Sequence, residues 1–336
     1  MTVTATRLAK PAPSLDPMIR LVADDMNAVN QVIIDRMASE IPLIPQLAGH
    51  LIAGGGKRMR PMLTLASAQL LGYQGTSHHV LAAAVEFIHT ATLLHDDVVD
   101  GSDLRRGRRT ANIIWGNPAS VLVGDFLFSR SFQLMVDAGS LKVLNILSGA
   151  SAVIAEGEVN QLTAVRQVGL AEERYLSIID AKTAALFAAA CRIAAVIADR
   201  PEAEELALEA YGRNLGIAFQ LIDDAIDYVS DAGTMGKDAG DDFREGKMTL
   251  PVILAYARAN DEERAFWKDA VEGRRTSDED FAHAIALVRK SRAVDDTMAR
   301  ARHYGGLAIE ALRGFADGPA KSAMIEAVEF AVARAY

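Results

Sequence analysis

Two stretches of the chain place carboxylates at helical spacing inside apolar sequence. The first, Leu93–Arg109, reads LLHDDVVDGSDLRRGRR and carries Asp96, Asp97 and Asp100 among Leu93, Leu94, Val98 and Val99. Residues four apart share a helix face, so Asp96 and Asp100 stack one turn apart and Asp97 borders them. Like charges at that spacing repel unless a cation sits between them. Hard divalent cations take carboxylate oxygens, and Mg²⁺ in particular is shared between one or two carboxylates and a substrate phosphate. Arg105, Arg106, Arg108 and Arg109 follow, with guanidinium groups suited to phosphate oxygens. The stretch reads as an Asp–metal–phosphate–Arg site; the plain alternative is a solvated acidic helix end and a basic turn. The stretch Phe219–Asp231, FQLIDDAIDYVSD, repeats the pattern with Asp223, Asp224 and Asp227. Two copies with the same spacing and the same apolar flanks favour one site built from two helices.

Basic residues gather elsewhere. Gly54–Pro61, GGGKRMRP, puts Lys57, Arg58 and Arg60 after glycines that let the backbone turn tightly. It is no P-loop, because Leu51 and Arg58 occupy the positions that need glycine and Ser or Thr. His89 lies on the same predicted helix as the first motif, nearly two turns before Asp96. Glu158 and Gln161 fall three apart on a predicted helix 157–165, and Gln220 is three before Asp223. Lys237 and Lys247 sit in a glycine-bearing polar stretch, Gly233–Gly246, where Asp238, Asp241 and Asp242 equally suit surface ion pairs.

With these motifs, from about Gly54 to about Pro251, the chain resembles the all-trans isoprenyl diphosphate synthases. The resemblance implies a helical bundle of the isoprenoid synthase type around a central cavity. It implies a prenyltransferase that joins isopentenyl diphosphate to an allylic diphosphate with Mg²⁺, working as a homodimer. By the same resemblance the six aspartates, Lys182 and Lys237 are catalytic, and Asp96, Asp100 and Asp223 hold the metal. Lys57, Arg60, His89 and Arg106 take isopentenyl diphosphate. Arg105, Lys182, Thr183, Gln220 and Lys237 serve the allylic partner, with Lys247 nearby, while Glu158 and Gln161 support the first metal site.

Composition agrees with an all-α fold. Half the 336 residues are hydrophobic and only 6% are aromatic, with alanine dominant, which favours helices over sheets. Helical periodicity runs from near Met18 to Ala335 after a proline-containing tail, residues 1–17, and makes one helical domain of residues 18–336. Asn117 and Pro118 read as the cap and first position of a helix 119–138, ended by Gly139, with Ser140 capping the next. The net charge of −9 argues against a nucleic-acid binder. No secretory signal or stable membrane anchor is visible; the longest apolar stretch, Ala184–Ala198, is broken by Arg192. Cys191, the single cysteine, excludes an intrachain disulfide and fits a reducing cytoplasm as a small core residue.

The residues ahead of the first motif bear on product length. Within the family resembled, the growing chain descends a tunnel between helices, and short-chain enzymes block it with an aromatic ring four or five positions before the first aspartate. Thr92 and Ala91 stand there, both small, with Phe87 and Phe126 as deeper wall residues and Met135 as a candidate floor. The expectation is a long-chain product, octaprenyl to decaprenyl diphosphate, suited to a quinone side chain; a farnesyl or geranylgeranyl diphosphate synthase is the alternative. A terpene cyclase would not keep the second aspartate motif, and a non-catalytic partner subunit would tend to lose its aspartates. A His-Asp metal phosphohydrolase would use His95 and Asp96 with His78 and His79, and would leave the other aspartates unexplained.

Overall fold

The computed structural model describes residues 12–53, 56–105, 107–229 and 240–334. Lys237 and Arg106 therefore lie outside the described residues. Helix dominates what is described, and the chain enters it at Asp16, with Pro17 in the first turn. The one sheet among the described residues is a two-stranded hairpin, Leu104–Arg105 against Arg108–Arg109. Strands of two residues are too short to show alternation in sequence. The hairpin turns the arginine-rich segment back toward the helix that precedes it.

The first motif ends a long helix, Ser77–Val99, and Asp100 is its C-cap. The second ends the helix Glu202–Ile226, with Asp227 as C-cap. Each motif helix packs on the helix Ala185–Ile197. That helix is small-residue sequence, ALFAAACRIAAVI, and is buried from Ala185 through Cys191. Burial raises the Cys191 thiol to about 12, as befits an inert core side chain. Glycines set the spacing of these helices. A Cβ on Gly212 would lie 2.3 Å from the Phe187 carbonyl oxygen, and one on Gly216 would lie 2.6 Å from Ala184 Cα. Side chains at either position would push the second-motif helix off its partner.

The apolar core forms two clusters. Helices Ala23–Met37, Met59–Leu70, Ser77–Val99, Asn117–Asp137 and Ala185–Ile197 feed one, and segments between Ala164 and Ala301 outside Ala185–Ile197 feed the other. The helix Glu202–Ile226 contributes Leu208, Tyr211 and Leu215 to the first and Leu221, Ile222 and Ala225 to the second. It is thus the beam that joins them, and the second motif sits at its end.

Several boundaries differ from the sequence expectation. Gly116, with φ 85°, caps the helix Asn117–Asp137, and Asn117 is its first helical residue rather than its cap. Ser140 does cap the following helix, accepting from the Val143 N–H. That helix runs from Leu141 to Ala164 without interruption, so the predicted 157–165 helix is its last part. Gly157 does not break it; a Cβ there would meet Ala181 Cβ at 2.7 Å. The glycine is a contact point, not a stop. Within the polar stretch after the second motif, Asp241–Glu245 forms a short helix between Gly240 and Gly246, both at positive φ.

Candidate active site

The six aspartates divide by environment. Asp97 and Asp224 are buried, at 2% and 4% exposure, and each is fully engaged by neighbours. Asp97 accepts from Arg105 Nε at 2.8 Å and meets Arg105 Nη2 at 2.7 Å, while its carbonyl accepts from the Asn112 amide. Asp224 accepts from the Tyr175 hydroxyl at 2.5 Å and from Gln220 Nε2 at 2.8 Å. Asp227 accepts from the Gly240 backbone N–H at 3.0 Å. Asp96, Asp100 and Asp223 keep part of their side chains exposed, and their neighbours are cations: Lys182, Lys247 and Arg334 respectively. Helical geometry explains the division, because consecutive residues point about 100° apart and only one of an Asp-Asp pair can face outward.

One turn of π-helix, Asp180–Ala184, sits between the motifs. Single π turns inside α-helices recur at functional sites because the extra residue re-aims its neighbours. Here the Lys182 ammonium lies 2.9 Å from Glu158 Oε2 and 3.9 Å from Asp96 Oδ2. The next residue, Thr183, donates to Gln220 Oε1 at 2.9 Å, and Gln220 in turn donates to Asp224. Adjacent residues of one turn therefore reach the two aspartate motifs. Gly157, opposite, leaves the space that lets this turn approach the Glu158 helix.

The protonation equilibria show strain. Burial pushes the Asp96 carboxyl up to about 6, opposed by Lys182 and reinforced by Glu158 and Asp100. Asp224 rises to about 7, through burial first and then the charge of Asp242. Burial works against the Lys247 ammonium, but Asp242, Asp100 and Glu245 outweigh it and hold the group above its ordinary range. Crowded carboxylates with one buried flank are a donor set for a hard divalent cation, and all the donors are oxygens. Asp96, Asp100 and Asp223 are the motif carboxylates that keep part of their side chains open while lying beside a cation.

A cleft lies beside the first motif. Its lining includes Lys57, Arg60, His89 and Arg105 together with Phe87, Leu127 and Phe187. Arg60 Nη1 is 3.1 Å from His89 Nε2, and its guanidinium stacks over the Phe187 ring at 4.5 Å. Lys57 lies over Phe330 at 4.8 Å. Arg58 takes a different direction, at positive φ, donating to Asn30 Oδ1. The adjacent basic residues thus split, with Lys57 and Arg60 held by aromatic faces and Arg58 tied to the helix Ala23–Met37.

The geometry also bears on the phosphohydrolase alternative. His95 turns from Asp96 toward the helix Asn117–Asp137, where its Nε2 meets Val121 O at 3.2 Å and Asp125 at 3.4 Å. His78 and His79 lie at the opposite end of the Ser77–Val99 helix. No His-Asp cluster forms around Asp96 among the described residues.

The sequence model of the polyprenyl synthetase family matches residues 41–288. The chain belongs to that family. It is 44% identical over 325 residues to the octaprenyl diphosphate synthase of Haemophilus influenzae, covering 96% of this chain and 98% of that one. Among solved structures, a polyprenyl synthase from Caulobacter crescentus CB15, complexed with calcium and isoprenyl diphosphate, is 52% identical with a TM-score of 0.94, covering 98% of this chain and 100% of that one. A decaprenyl diphosphate synthase from Rhodobacter capsulatus is 51% identical with a TM-score of 0.92, covering 96% and 100%. The all-α reading and the prenyltransferase reading of the sequence both stand.

Membership of the polyprenyl synthetase family does not by itself identify every residue of the site. Tyr175 and Arg334 were invisible in sequence. Tyr175 is 49 residues from Asp224, and Arg334 is 111 residues from Asp223. Neither pair has a spacing signal, and Arg334 reads in sequence as an ordinary polar residue of a terminal helix. A partial clue was available for Tyr175, an aromatic on the strongly amphipathic segment Glu172–Ile179.

The raised Asp96 carboxyl leads to a stability prediction. Folded Asp96 keeps its proton up to about pH 6, whereas its ordinary value is 3.8. The neutral form is the one the metal-free fold favours, so its contribution is complete below about pH 4 and is lost as pH rises through 6. Asp96→Asn keeps the side chain neutral at every pH. In chelator the variant is expected to be more stable than the parent at pH 7.5 by about 2–3 kcal/mol, and equal to it near pH 4. Thermal unfolding at the two pH values checks this; equal stability at pH 7.5 would contradict the strained carboxylate.

Proposed function

We propose that the chain adds successive isopentenyl diphosphate units to an allylic diphosphate, in an Mg²⁺-dependent reaction, and releases an octaprenyl to decaprenyl diphosphate. The observation that carries the proposal is the π turn between two aspartate motifs, with Lys182 directed at Asp96 and Thr183 joined through Gln220 to Asp224. Asp96, Asp100 and Asp223 would hold Mg²⁺, whose charge offsets that of the departing diphosphate. Lys182, Lys247 and Arg334 now pair with those same carboxylates and can turn to diphosphate oxygens when the carboxylates are engaged otherwise. Asp97 keeps Arg105 fixed beside the first motif, and Asp224 keeps Gln220 and Tyr175 fixed beside the second. Arg106 and Lys237 complete the two diphosphate sites in this reading.

Ionisation leaves an allylic cation, which the double bond of isopentenyl diphosphate attacks from alongside. Lys57, Arg60 and His89 hold the diphosphate that does not leave, on the cleft's apolar wall of Phe87, Leu127 and Phe187. Those apolar side chains exclude water, which would otherwise quench the cation as an alcohol. The released diphosphate takes the proton, because no side chain in the cleft stands out as a general base. Lys57→Ala and Arg60→Ala should chiefly raise KM for isopentenyl diphosphate, since uniform binding is what they supply. Steady-state kinetics varying each substrate in turn checks it. A matching rise in KM for the allylic substrate would remove the assignment.

The long product is supported by small residues ahead of the motif. Ala91 is enclosed, one turn from Phe87 on the same helix face, and Thr92 turns its hydroxyl back to the His89 carbonyl. Neither places a ring there. On the facing helix Leu127, Leu134 and Met135 are buried. A helix of this kind spans about 30 Å, room for a long prenyl chain, and the figure of roughly eight to ten isoprene units comes from the octaprenyl and decaprenyl diphosphate synthases the chain resembles.

Homodimerisation belongs to the same proposal. The helix Asn117–Asp137 is, among the described residues, the one long and apolar enough to cross a membrane. One side of it, including Val123, Leu127, Leu134 and Met135, is buried in the core. Leu122 and Val136 on its other side, and Leu141 just beyond, are exposed at 67%, 64% and 83%. An exposed apolar face of that kind marks an interaction surface, and a second copy of the chain would cover it. Light scattering at micromolar concentration should give twice 36.1 kDa; the mass of one chain would count against the dimer.

A further inference from the structure

Far from the aspartate motifs, Asp25, His78 and His79 bring one carboxylate oxygen and two imidazole nitrogens within 4.8 Å of one another. His79 Nε2 lies 2.8 Å and His78 Nε2 lies 3.4 Å from the same oxygen, Asp25 Oδ1. We propose that this cluster is a second metal site of the protein, for a borderline transition cation of the Zn²⁺ class, separate from the Mg²⁺ chemistry of the active site.

The distances favour it. Tetrahedral Zn²⁺ bonds to nitrogen and carboxylate oxygen at about 2.0–2.1 Å, which sets ligand atoms about 3.3 Å apart. The two N···O separations of 2.8 and 3.4 Å bracket that edge, so an ion can enter with small side-chain adjustments. Each ligand is already held. Gln69 Nε2 donates to Asp25 Oδ2 at 2.7 Å and to the Leu21 carbonyl at 3.1 Å, orienting the carboxylate from behind. The Tyr73 ring meets His78 edge-on at 5.3 Å, and the two imidazoles lie against each other at 4.0 Å. Such supports are what fix ligand orientation in metal sites.

The protonation states match as well. Burial, followed by the neighbouring His79, pushes the His78 imidazole below its ordinary value and keeps it neutral, the form that binds metal. Asp25 is held below its ordinary range despite burial, by hydrogen bonds from His79 and Gln69, and so stays a carboxylate. His78 is only 6% exposed, and its Nδ1 meets no partner. Asp25 and His79 remain about one-fifth exposed, which leaves solvent a route to the fourth position.

Two nitrogen donors select against Mg²⁺ and for Zn²⁺ or Co²⁺. The site is also remote from the chemistry. His79 precedes Asp96 by seventeen residues of one helix, about 26 Å along its axis. Its effect would be mechanical. The ion would join the start of the helix Ala23–Met37 to the start of Ser77–Val99, with Gln69 bringing in the end of Met59–Leu70.

The test uses full-length protein stripped by chelator and dialysed into excess Mg²⁺, so that the aspartate motifs are occupied. Zn²⁺ is titrated calorimetrically and Co²⁺ by its visible absorption, which reports tetrahedral coordination. The parent and the Asp96→Asn/Asp223→Asn double variant are both expected to bind one equivalent, with tetrahedral Co²⁺ absorption and a raised melting temperature. His79→Gln and Asp25→Asn are expected to lose affinity at least about 100-fold while keeping the parent's circular dichroism. Binding that vanishes in the double variant, or that persists undiminished in His79→Gln, or Co²⁺ absorption of the octahedral type only, would overturn the proposal.

Discussion

Asp96→Ala and Asp223→Ala should each lower turnover by about 10²–10³-fold or more, and EDTA should abolish activity in the parent. The size follows from what each carboxylate does in the proposed reaction. Charge develops on the departing diphosphate as the allylic bond breaks, and the cation that offsets it is anchored by both motifs. Losing one anchor displaces that charge where the surroundings are dry and the displacement costs most. Asp223→Ala has a further consequence, because it frees Arg334 from its 2.5 Å pair. A single-turnover assay with a labelled allylic substrate separates the chemical step from product release. Parental activity in EDTA, or in either variant, would remove the metal assignment.

Ala91→Tyr should shorten the product to farnesyl or geranylgeranyl length while the first condensation survives. Residue 91 stands five positions before Asp96, about 7.5 Å down the helix, and its methyl group is enclosed at 0% exposure. A phenol ring there closes whatever passage the small side chain leaves toward Leu127 and Met135. Insertion into a packed site also costs about 1–3 kcal/mol, so thermal unfolding accompanies the product assay. A folded variant that still made the parental length would show that the chain runs elsewhere. Met135→Ala, at the proposed floor, should broaden or lengthen the distribution.

What was legible in the sequence is what repeats at short range. The Asp-Asp-x-x-Asp spacing and the apolar flanks need only a period of 3.6 to be read as helical, and the structure places both motifs on helices, at their C-terminal ends. The division of labour within each triplet was half visible. Helical spacing pairs Asp96 with Asp100, but only the fold shows that Asp97 is held by Arg105 and Asp224 by Tyr175. The π turn at Asp180–Ala184 left no trace, because its sequence, DAKTA, suits an α-helix equally well. Gly157 was read as the start of a helix, and Gly212 and Gly216 drew no notice. Each is required by another helix's backbone or side chains, not by its own local conformation. Long-range pairs such as Arg334 with Asp223 belong to the same class. Physical chemistry acts there between segments that sequence separation does not connect.

The measurement that bears most directly on the whole account is the length of the product made by the unaltered enzyme. Purified protein is incubated with labelled isopentenyl diphosphate, an allylic primer and Mg²⁺, and the dephosphorylated products are separated against prenol standards. Products centred on roughly eight to ten isoprene units are predicted, from the small side chains of Ala91 and Thr92 ahead of the first motif and from the similarity to octaprenyl and decaprenyl diphosphate synthases. Farnesol or geranylgeraniol alone would contradict it.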